Sequence, residues 1–432
     1  MSDLPVLQPE QLRVGLYVHL DLSWMEHPFA FSRFKIRSEA QIETLQRLGL
    51  KQVRYDPARS ECEPLPLAQA QAQQALAVAP APPAPPPPPP EEQKAMAEKQ
   101  ARVERLGKLR SRIAEVEQRF TRAADKLRQI TRVMHSQPEE AAAQGDALVG
   151  ELLDTLLSEG DTQIHAMSQS LGEDVYFHSL NVSVLALTLG KALKLRRDEL
   201  HQLGMAALFH DIGHGELPGS LFGKREPLNK AEQALYETHV KIGVGIAQKV
   251  GLSKPAITAI AQHHERLDGS GYPNHLGGAE ISLFGRILGL VNTYDNQCNP
   301  PDIARAVTPH EALAQLFAKQ RHALDERLMR LLIRTLGVYP PGTLVRLSDE
   351  RFGMVVSVNA QHALRPQVLV YDPDIPQEAA LILDLEAEPA LRVIEGLRPA
   401  AVPGDVRAYL NPRQRVSYYV ESRKAASPSP GT

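Results

Sequence analysis

The chain has 432 residues, of which 43% are apolar and 23% charged, with a formal net charge of −3. That length suits two or three domains with at least one sizeable core, and the lack of a basic excess argues against a nucleic-acid scaffold. No run reaches the ~18 apolar residues of a membrane span, the start MSDLPVLQPEQLRVG lacks the pattern of a secretory signal, and Cys62 and Cys298 form neither a disulfide framework nor a thiolate metal motif, so a cytoplasmic protein is expected.

Residues 1–65 read as a small α/β module. GLYVHLDL alternates as a strand does. SEAQIETLQRLGL reads as a helix with Ser38 as N-cap and Gln41 closing a capping box. KQVRYD reads as a second strand, and Trp24, Phe29 and Phe31 as aromatics of the module's core, because aromatic spacing alone usually means packing. Residues 66–92 form a proline-rich linker, AVAPAPPAPPPPPP, stiff and extended and unable to make a core. It reads as a spacer, or as a segment for a partner that reads proline.

Residues 93–146 read as a heptad helix. Leu106, Leu109, Ile113, Val116, Phe120, Ala123, Leu127, Ile130 and Met134 step by three and four, which leaves a narrow apolar seam. The seam pairs with its copy in a homodimer, the favoured expectation, or packs along the chain's own helices. Residues 147–336 then read as helical nearly throughout, with short loops. Residues 337–422 read as a β-rich module, with strands in GVYPPGTLVRL, FGMVVSVN, PQVLVYD and AALILDL, and 423–432 as a disordered tail. The expected class is mainly α: an all-helical central domain flanked by small modules.

Ligand-type residues recur inside the apolar helices of that central domain. Asp174 and His178 lie four apart on one helical face, and His210 and Asp211 close the run LGMAALFHDIGHGELP. His239 stands in YETHVKIGVGIA, His263 and His264 follow PAITAIAQ, and Asn292 and Asp295 lie three apart in RILGLVNTYDN. A lone histidine on a helix is usually an ordinary core or surface residue. So many polar groups buried without partners would cost several kcal/mol each, whereas convergence on cations satisfies them together.

Imidazole and carboxylate without thiolate suit iron, manganese, nickel, cobalt or zinc. The set is too large for one tetrahedral ion and fits two or three. The His210-Asp211 pair can bridge two ions, and the adjacent His263 and His264, splayed apart on a helix, can reach different ones. Paired ions of this kind lower the pKa of a water, set it for in-line attack on phosphorus and neutralise phosphoryl charge. The spacing therefore points to a metal-dependent phosphohydrolase, without naming its substrate.

The motifs HDIGH and HHERLDGSGYP resemble those of the HD-GYP family, the bacterial HD-type phosphohydrolases with the patterns HDIGK and HHE-x-x-DGSGYP. The resemblance spans about residues 160–310, and RVGLYVHLDLSWMEHPF looks like an uncharacterised domain often placed before HD-GYP domains. It implies an all-helical domain hydrolysing cyclic di-GMP to linear pGpG and on to GMP, with two or three divalent ions, iron or manganese foremost. Carried over by position, the ligands are His178, His210, Asp211, His239, His263 and His264, with Asp174 for a third metal. The loop Gly269-Ser270-Gly271-Tyr272-Pro273 resembles the family's docking loop for diguanylate cyclase domains, and its glycines permit backbone angles other residues avoid.

Three positions depart from the pattern. Asn292 replaces a metal-binding aspartate, with Asp295 as the candidate substitute. His214 replaces a lysine that would meet phosphate, which leaves it a catalytic or substrate-binding role alongside Asp211. Only Arg305 remains of a basic stretch expected to grip phosphates. These departures keep two alternatives open: a weakened module that senses cyclic di-GMP or docks proteins, and a phosphohydrolase of another cyclic dinucleotide or nucleotide.

Overall fold

The structure is a computed structural model, and it describes residues 4–22, 27–29, 32–67, 90–134, 136–158, 161–166, 175–222, 226–300, 302, 305–373, 375, 377, 380–411 and 416–423. The chain divides into two compact units, Met1–Arg110 with Tyr371–Leu381, and Ser111–Val370 with Ile382–Thr432.

In the first unit, β1 (Val6–Leu7), β2 (Tyr17–His19), β3 (Arg33–Lys35) and β4 (Val53–Tyr55) form an antiparallel sheet in the order β1-β4-β2-β3. Helix α1 (Glu39–Arg47) adds Ile42 and Leu45 to a core built around Leu16, Val18, Ile36 and Val53. Phe29 is buried there as expected, whereas Trp24 and Phe31 lie outside the described residues. Ser38 is the N-cap of α1, but the expected capping box does not form. The Ser38 side chain makes no cap bond, and Gln41 instead accepts from the backbone N–H of Arg37, one residue too early.

Most of the proline-rich linker lies outside the described residues. Helix α2 (Pro90–Val133) follows it, and then α3 (Pro138–Leu157). The heptad seam was expected to face a second copy. From Val116 to Met134 it is instead buried in the core of the second unit with Leu148, Leu152 and Leu156 of α3. Phe120 stacks on Phe177 at 5.5 Å, so this half of the seam is covered by the chain itself. Its apolar surface is already removed from water, which takes away the drive for pairing through it.

The helical core continues through α4 (Val175–Ala192), α5 (Arg197–Phe209), α6 (Lys230–Lys249), α7 (Lys254–Gln262), α8 (Leu283–Cys298), α9 (Pro309–Lys319) and α10 (Glu326–Leu336). Helices α7 and α8 approach closely. A Cβ on Gly285 would stand 2.9 Å from the Gln262 side chain, and one on Gly289 would stand 3.1 Å from the carbonyl of His263.

Strand β5 (Asp161–Ala166) interrupts the stretch that reads as helix. The C-terminal strands are β6 (Leu344–Leu347), β7 (Phe352–Asn359), β8 (Gln367–Val370), β9 (Leu381–Asp384), β10 (Val393–Leu397) and, after helix α11 (Gly404–Leu410), β11 (Tyr418–Arg423). Sequence alone sets 337–422 apart as a module. In the structure β5 pairs with both β7 and β11, in a sheet ordered β10-β6-β7-β5-β11 with β8 and β9 branching from β7. Tyr418, Tyr419 and Val420 of β11 are buried in the helical core. Among the described residues, no helix is long and apolar enough to cross a membrane.

Candidate metal centre

His178 stands in the first turn of α4, His210 caps the C-terminus of α5 with Asp211 next, and His239 projects from the middle of α6. His263 caps the C-terminus of α7, with His264 next. The turn after α5 seats against α6 because residue 213 is glycine: a Cβ there would lie 2.0 Å from the carbonyl oxygen of His239.

The side chains meet around Asp211. His178 Nε2 is 3.2 Å from His210 Nε2 and 3.5 Å from Asp211 Oδ2, which is 3.3 Å from His210 Nε2. On the other carboxylate oxygen, Oδ1, His263 Nε2 stands at 3.4 Å and His239 Nε2 at 3.6 Å. Two groups result, each able to hold a metal ion: His178-His210-Asp211, and Asp211-His239-His263-His264. Asp211 belongs to both. His263 and His264 fall in the same group rather than splaying to different ones. Helix α7 ends at Gln262, so helical spacing no longer sets their directions.

The donor set fits a cation. Asp211 Oδ1 and the Nε2 atoms of His214, His239, His263 and His264 are buried without a hydrogen-bond partner, an arrangement that costs ~1–3 kcal/mol per atom unless something else satisfies it. On four of the clustered histidines the opposite ring nitrogen is engaged. His210 Nδ1 donates to the Ala207 carbonyl at 2.8 Å, His239 Nδ1 to Tyr236 at 2.7 Å and His263 Nδ1 to Ile260 at 2.6 Å. His178 Nδ1 donates to Asp295 Oδ2 at 2.6 Å. Tying Nδ1–H in this way leaves the Nε2 lone pair facing the centre.

Charge follows the same plan. Burial pushes the pKa values of His239, His263 and His264 down, and neighbouring imidazoles push the same way, so these rings stay neutral. Burial opposes ionisation of Asp211, but His210 and His214 outweigh it and hold the carboxyl well below its ordinary range. His178 runs the other way. Burial lowers it, but Asp295 and Asp211 raise it further, for a net upward shift.

The remaining expected residues divide. His214 does reach the centre, its Nδ1 3.5 Å from Asp211 Oδ2 and its ring 4.2 Å from that of His239. Asp295, expected among the ligands, lies behind His178 on Nδ1 and outside both groups. Asn292 is buried, and its Oδ1 accepts from Asn296 Nδ2 at 2.7 Å. Arg305 is exposed and pairs with Asp302 at 3.4 Å, with no described contact to the centre. Asp174 lies outside the described residues.

The glycine loop folds back on the centre. Tyr272 stacks on His264 at 4.5 Å, next to Pro273. Gly269 has φ +76°, the left-handed region that favours glycine. Gly271 is glycine for a different reason from the one expected: a Cβ would lie 2.4 Å from the backbone nitrogen of Arg266. The Glu265 carboxylate pins the loop by accepting from the backbone N–H groups of Asn274 (2.7 Å) and Leu276 (2.9 Å).

Residues 151–328 match the HD domain family, and residues 6–144 match a domain of unknown function (DUF3391). Residues 151–328 are an HD domain. A cyclic di-GMP phosphodiesterase of Pseudomonas aeruginosa is 28% identical over 403 residues, covering 90% of this chain and 91% of that protein. The cyclic di-GMP phosphodiesterase response regulator RpfG of Xanthomonas campestris is 32% identical, over 35% of this chain and 41% of its own. A 3'3'-cGAMP-specific phosphodiesterase of Vibrio cholerae is 34% identical over 38% of each chain. Among solved structures, an HDG"Y"P protein from Bdellovibrio bacteriovorus aligns with TM-score 0.37 at 15% identity, covering 76% of this chain and 98% of that one.

Sequence reasoning missed Glu265, Asn181 and Asn299. Asn181 follows His178 by three positions in HSLN, the same same-face offset that singles out Asn292 and Asp295. Asn299 stands four positions after Asp295, whose Oδ1 it meets at 3.0 Å, but its other partner, the backbone of Val416, lies more than a hundred positions away.

Proposed function

We propose that the HD domain is a cytoplasmic metal-dependent phosphodiesterase that opens cyclic di-GMP to linear pGpG and onward to GMP. The observation that carries this reading is the pair of histidine groups sharing one carboxylate, Asp211, with their inward ring nitrogens buried and unpaired. Divalent ions there, iron or manganese foremost, would activate water and neutralise charge on the phosphoryl oxygens. His178 and His210 would hold one ion and His239, His263 and His264 another, with Asp211 bridging; Asp174 is the candidate for a third. His214 Nε2 is free to meet a phosphoryl oxygen, and the Tyr272 loop walls the His264 side from water.

The test is product analysis. Protein purified anaerobically and loaded with iron(II) or manganese should convert cyclic di-GMP to pGpG or GMP, and Asp211→Ala should lose both metal and turnover. No product from the wild-type chain in iron(II), manganese or nickel overturns the proposal.

One observation favours a second substrate. Relatives named as 3'3'-cGAMP-specific match at an identity comparable to that of the cyclic di-GMP enzymes. Faster turnover of 3'3'-cGAMP in parallel assays moves the assignment to that dinucleotide. Tight binding of cyclic di-GMP without hydrolysis points instead to a sensor, the outcome that the uncharged Asn292 would favour. Capture of a diguanylate cyclase domain that depends on Tyr272 and Pro273 would give the loop its docking role. Sedimentation would show whether the chain forms a homodimer, for which the half of the seam from Val116 to Met134 is already covered.

A further inference from the structure

The C-terminal strand, which the sequence leaves without chemistry, reaches the back of the metal centre. Asp295 accepts three hydrogen bonds. Its Oδ2 takes Nδ1–H of His178, and its Oδ1 takes one N–H each from Asn181 Nδ2 and Asn299 Nδ2, both at 3.0 Å. Each amide spends its second N–H on the same backbone carbonyl, that of Val416, at 3.0 Å from Asn181 and 2.8 Å from Asn299. The amide oxygens close the circuit: Asn181 Oδ1 accepts from the backbone N–H of Tyr418 at 2.9 Å, and Asn299 Oδ1 from that of Val416 at 2.7 Å. Every donor and acceptor of both asparagines in this circuit is therefore used.

Most of the circuit is buried, with Asn299 at its half-buried edge. Asn181 is 2% exposed, and Asp295 and Tyr418 are fully enclosed. A second tie runs parallel to it, the hydroxyls of Tyr294 and Tyr418 meeting at 2.8 Å. The same strand pairs along its whole length with β5, which precedes the helix that carries His178. A buried, fully satisfied network of this kind fixes one geometry, because each member left alone would be an unpaired polar group.

We propose that β11 and the backbone entering it at Val416 are a built-in part of the HD metal centre, and that Asn181 and Asn299 are positioning residues which transmit that backbone to the Asp295 carboxylate and so aim Nε2 of His178. The proposal rests on the reading of His178 as a metal ligand. Its consequence is selective: loosening the tie weakens the ion in the His178-His210-Asp211 group and spares the one held by His239, His263 and His264. Outer partners of a ligating histidine typically change metal affinity by ~10–100-fold when removed.

Manganese binding to the full-length chain, followed by equilibrium dialysis beside melting of the metal-free protein, decides it. Wild type should bind two ions, and His178→Ala should lose one. Asn181→Ala should melt like wild type without metal and bind one ion normally and the other about tenfold or more weaker. A normally melting Asn181→Ala with both ions at wild-type affinity overturns the proposal. If that variant does not fold, Asn299→Ala, which keeps one of the two amides, is read by the same criteria. Equal weakening of both ions also overturns it, since a general loss of stability has no reason to choose. If His178→Ala retains both ions, the ligand assignment fails instead, and the two failures are distinct.

Discussion

Acidifying the metal-free protein from pH 7.5 to 5.5 should destabilise the unit that carries the histidines. His239 is fully buried, and burial above all, helped by His214 and His263 and opposed by Asp211, lowers its pKa from 6.5 to about 3. Above pH 6.5 neither the folded nor the unfolded chain binds this proton, so stability is flat. Below it the unfolded chain takes the proton and the fold does not, and stability falls by about 1.4 kcal/mol per pH unit. His214, His263 and His264 are shifted the same way, with burial the largest cause. His178, shifted upward, offsets one of them: its contribution is fully present below 6.5 and fades as pH rises through its folded value. Asp211 stays out of this window, because even its ordinary value of 3.8 lies below it. His239 alone accounts for a loss of about 1.4 kcal/mol at pH 5.5; His214, His263 and His264 add to it and His178 opposes it. Urea unfolding followed by circular dichroism at 222 nm measures it. A free energy that stays constant or rises between pH 7.5 and 5.5 would refute the claim that these imidazoles are held neutral by burial.

Two substitutions probe the centre from other sides. Gly213→Ala forces a methyl to 2.0 Å from the His239 carbonyl, and since the obstacle is backbone, the turn bearing Asp211 must move. A loss of ~1–3 kcal/mol in urea unfolding is expected, with manganese affinity falling alongside, and an unchanged protein would show that the turn is not clamped. Asn292→Asp places a carboxylate at a buried position next to His178, where the amide now accepts from Asn296. Manganese affinity in the His178 group should rise about tenfold, ~1.4 kcal/mol; competition against a chelator reads this, and an unchanged or weaker affinity means Asn292 has another role.

How much of this was legible in the sequence depended on where each residue's partners lie. The cluster is readable because imidazoles and a carboxylate on apolar helices have few other reasons to be there, and His178, His210, Asp211, His239, His263 and His264 do converge. Asp295 reads as a ligand in the sequence because helical offset gives a face but not what stands between that face and the cluster, and His178 stands there. The seam of α2 shows the same limit. Its three-four spacing states that one side is covered, and only the fold says that α3 and Phe177 cover it. Strand β5 escaped because its pairing partners, β7 and β11, lie about two hundred positions later, and a short strand between helices carries little signal of its own.

The position of the histidines along their helices explains why a mainly helical scaffold serves this centre. The last carbonyls of a helix have no partner within it, and that end carries a partial negative charge that favours cations. His210 and His263 both sit at C-caps, of α5 and α7. Each turns its Nδ1–H back to a carbonyl of its own last turn, Ala207 and Ile260. One hydrogen bond thus satisfies part of the frayed helix end, fixes the ring's tautomer and points its Nε2 outward along a dipole that attracts a cation. His239, in mid-helix, makes the same bond to Tyr236, whose carbonyl must be shared with the helix ladder. His178, in the first turn of α4, sits at the wrong end of its helix for any of this. Among these four it is the imidazole with a carboxylate behind it, and that carboxylate takes N–H groups from Asn181 and Asn299, both tied in turn to the carbonyl of Val416 at the entry to the last strand.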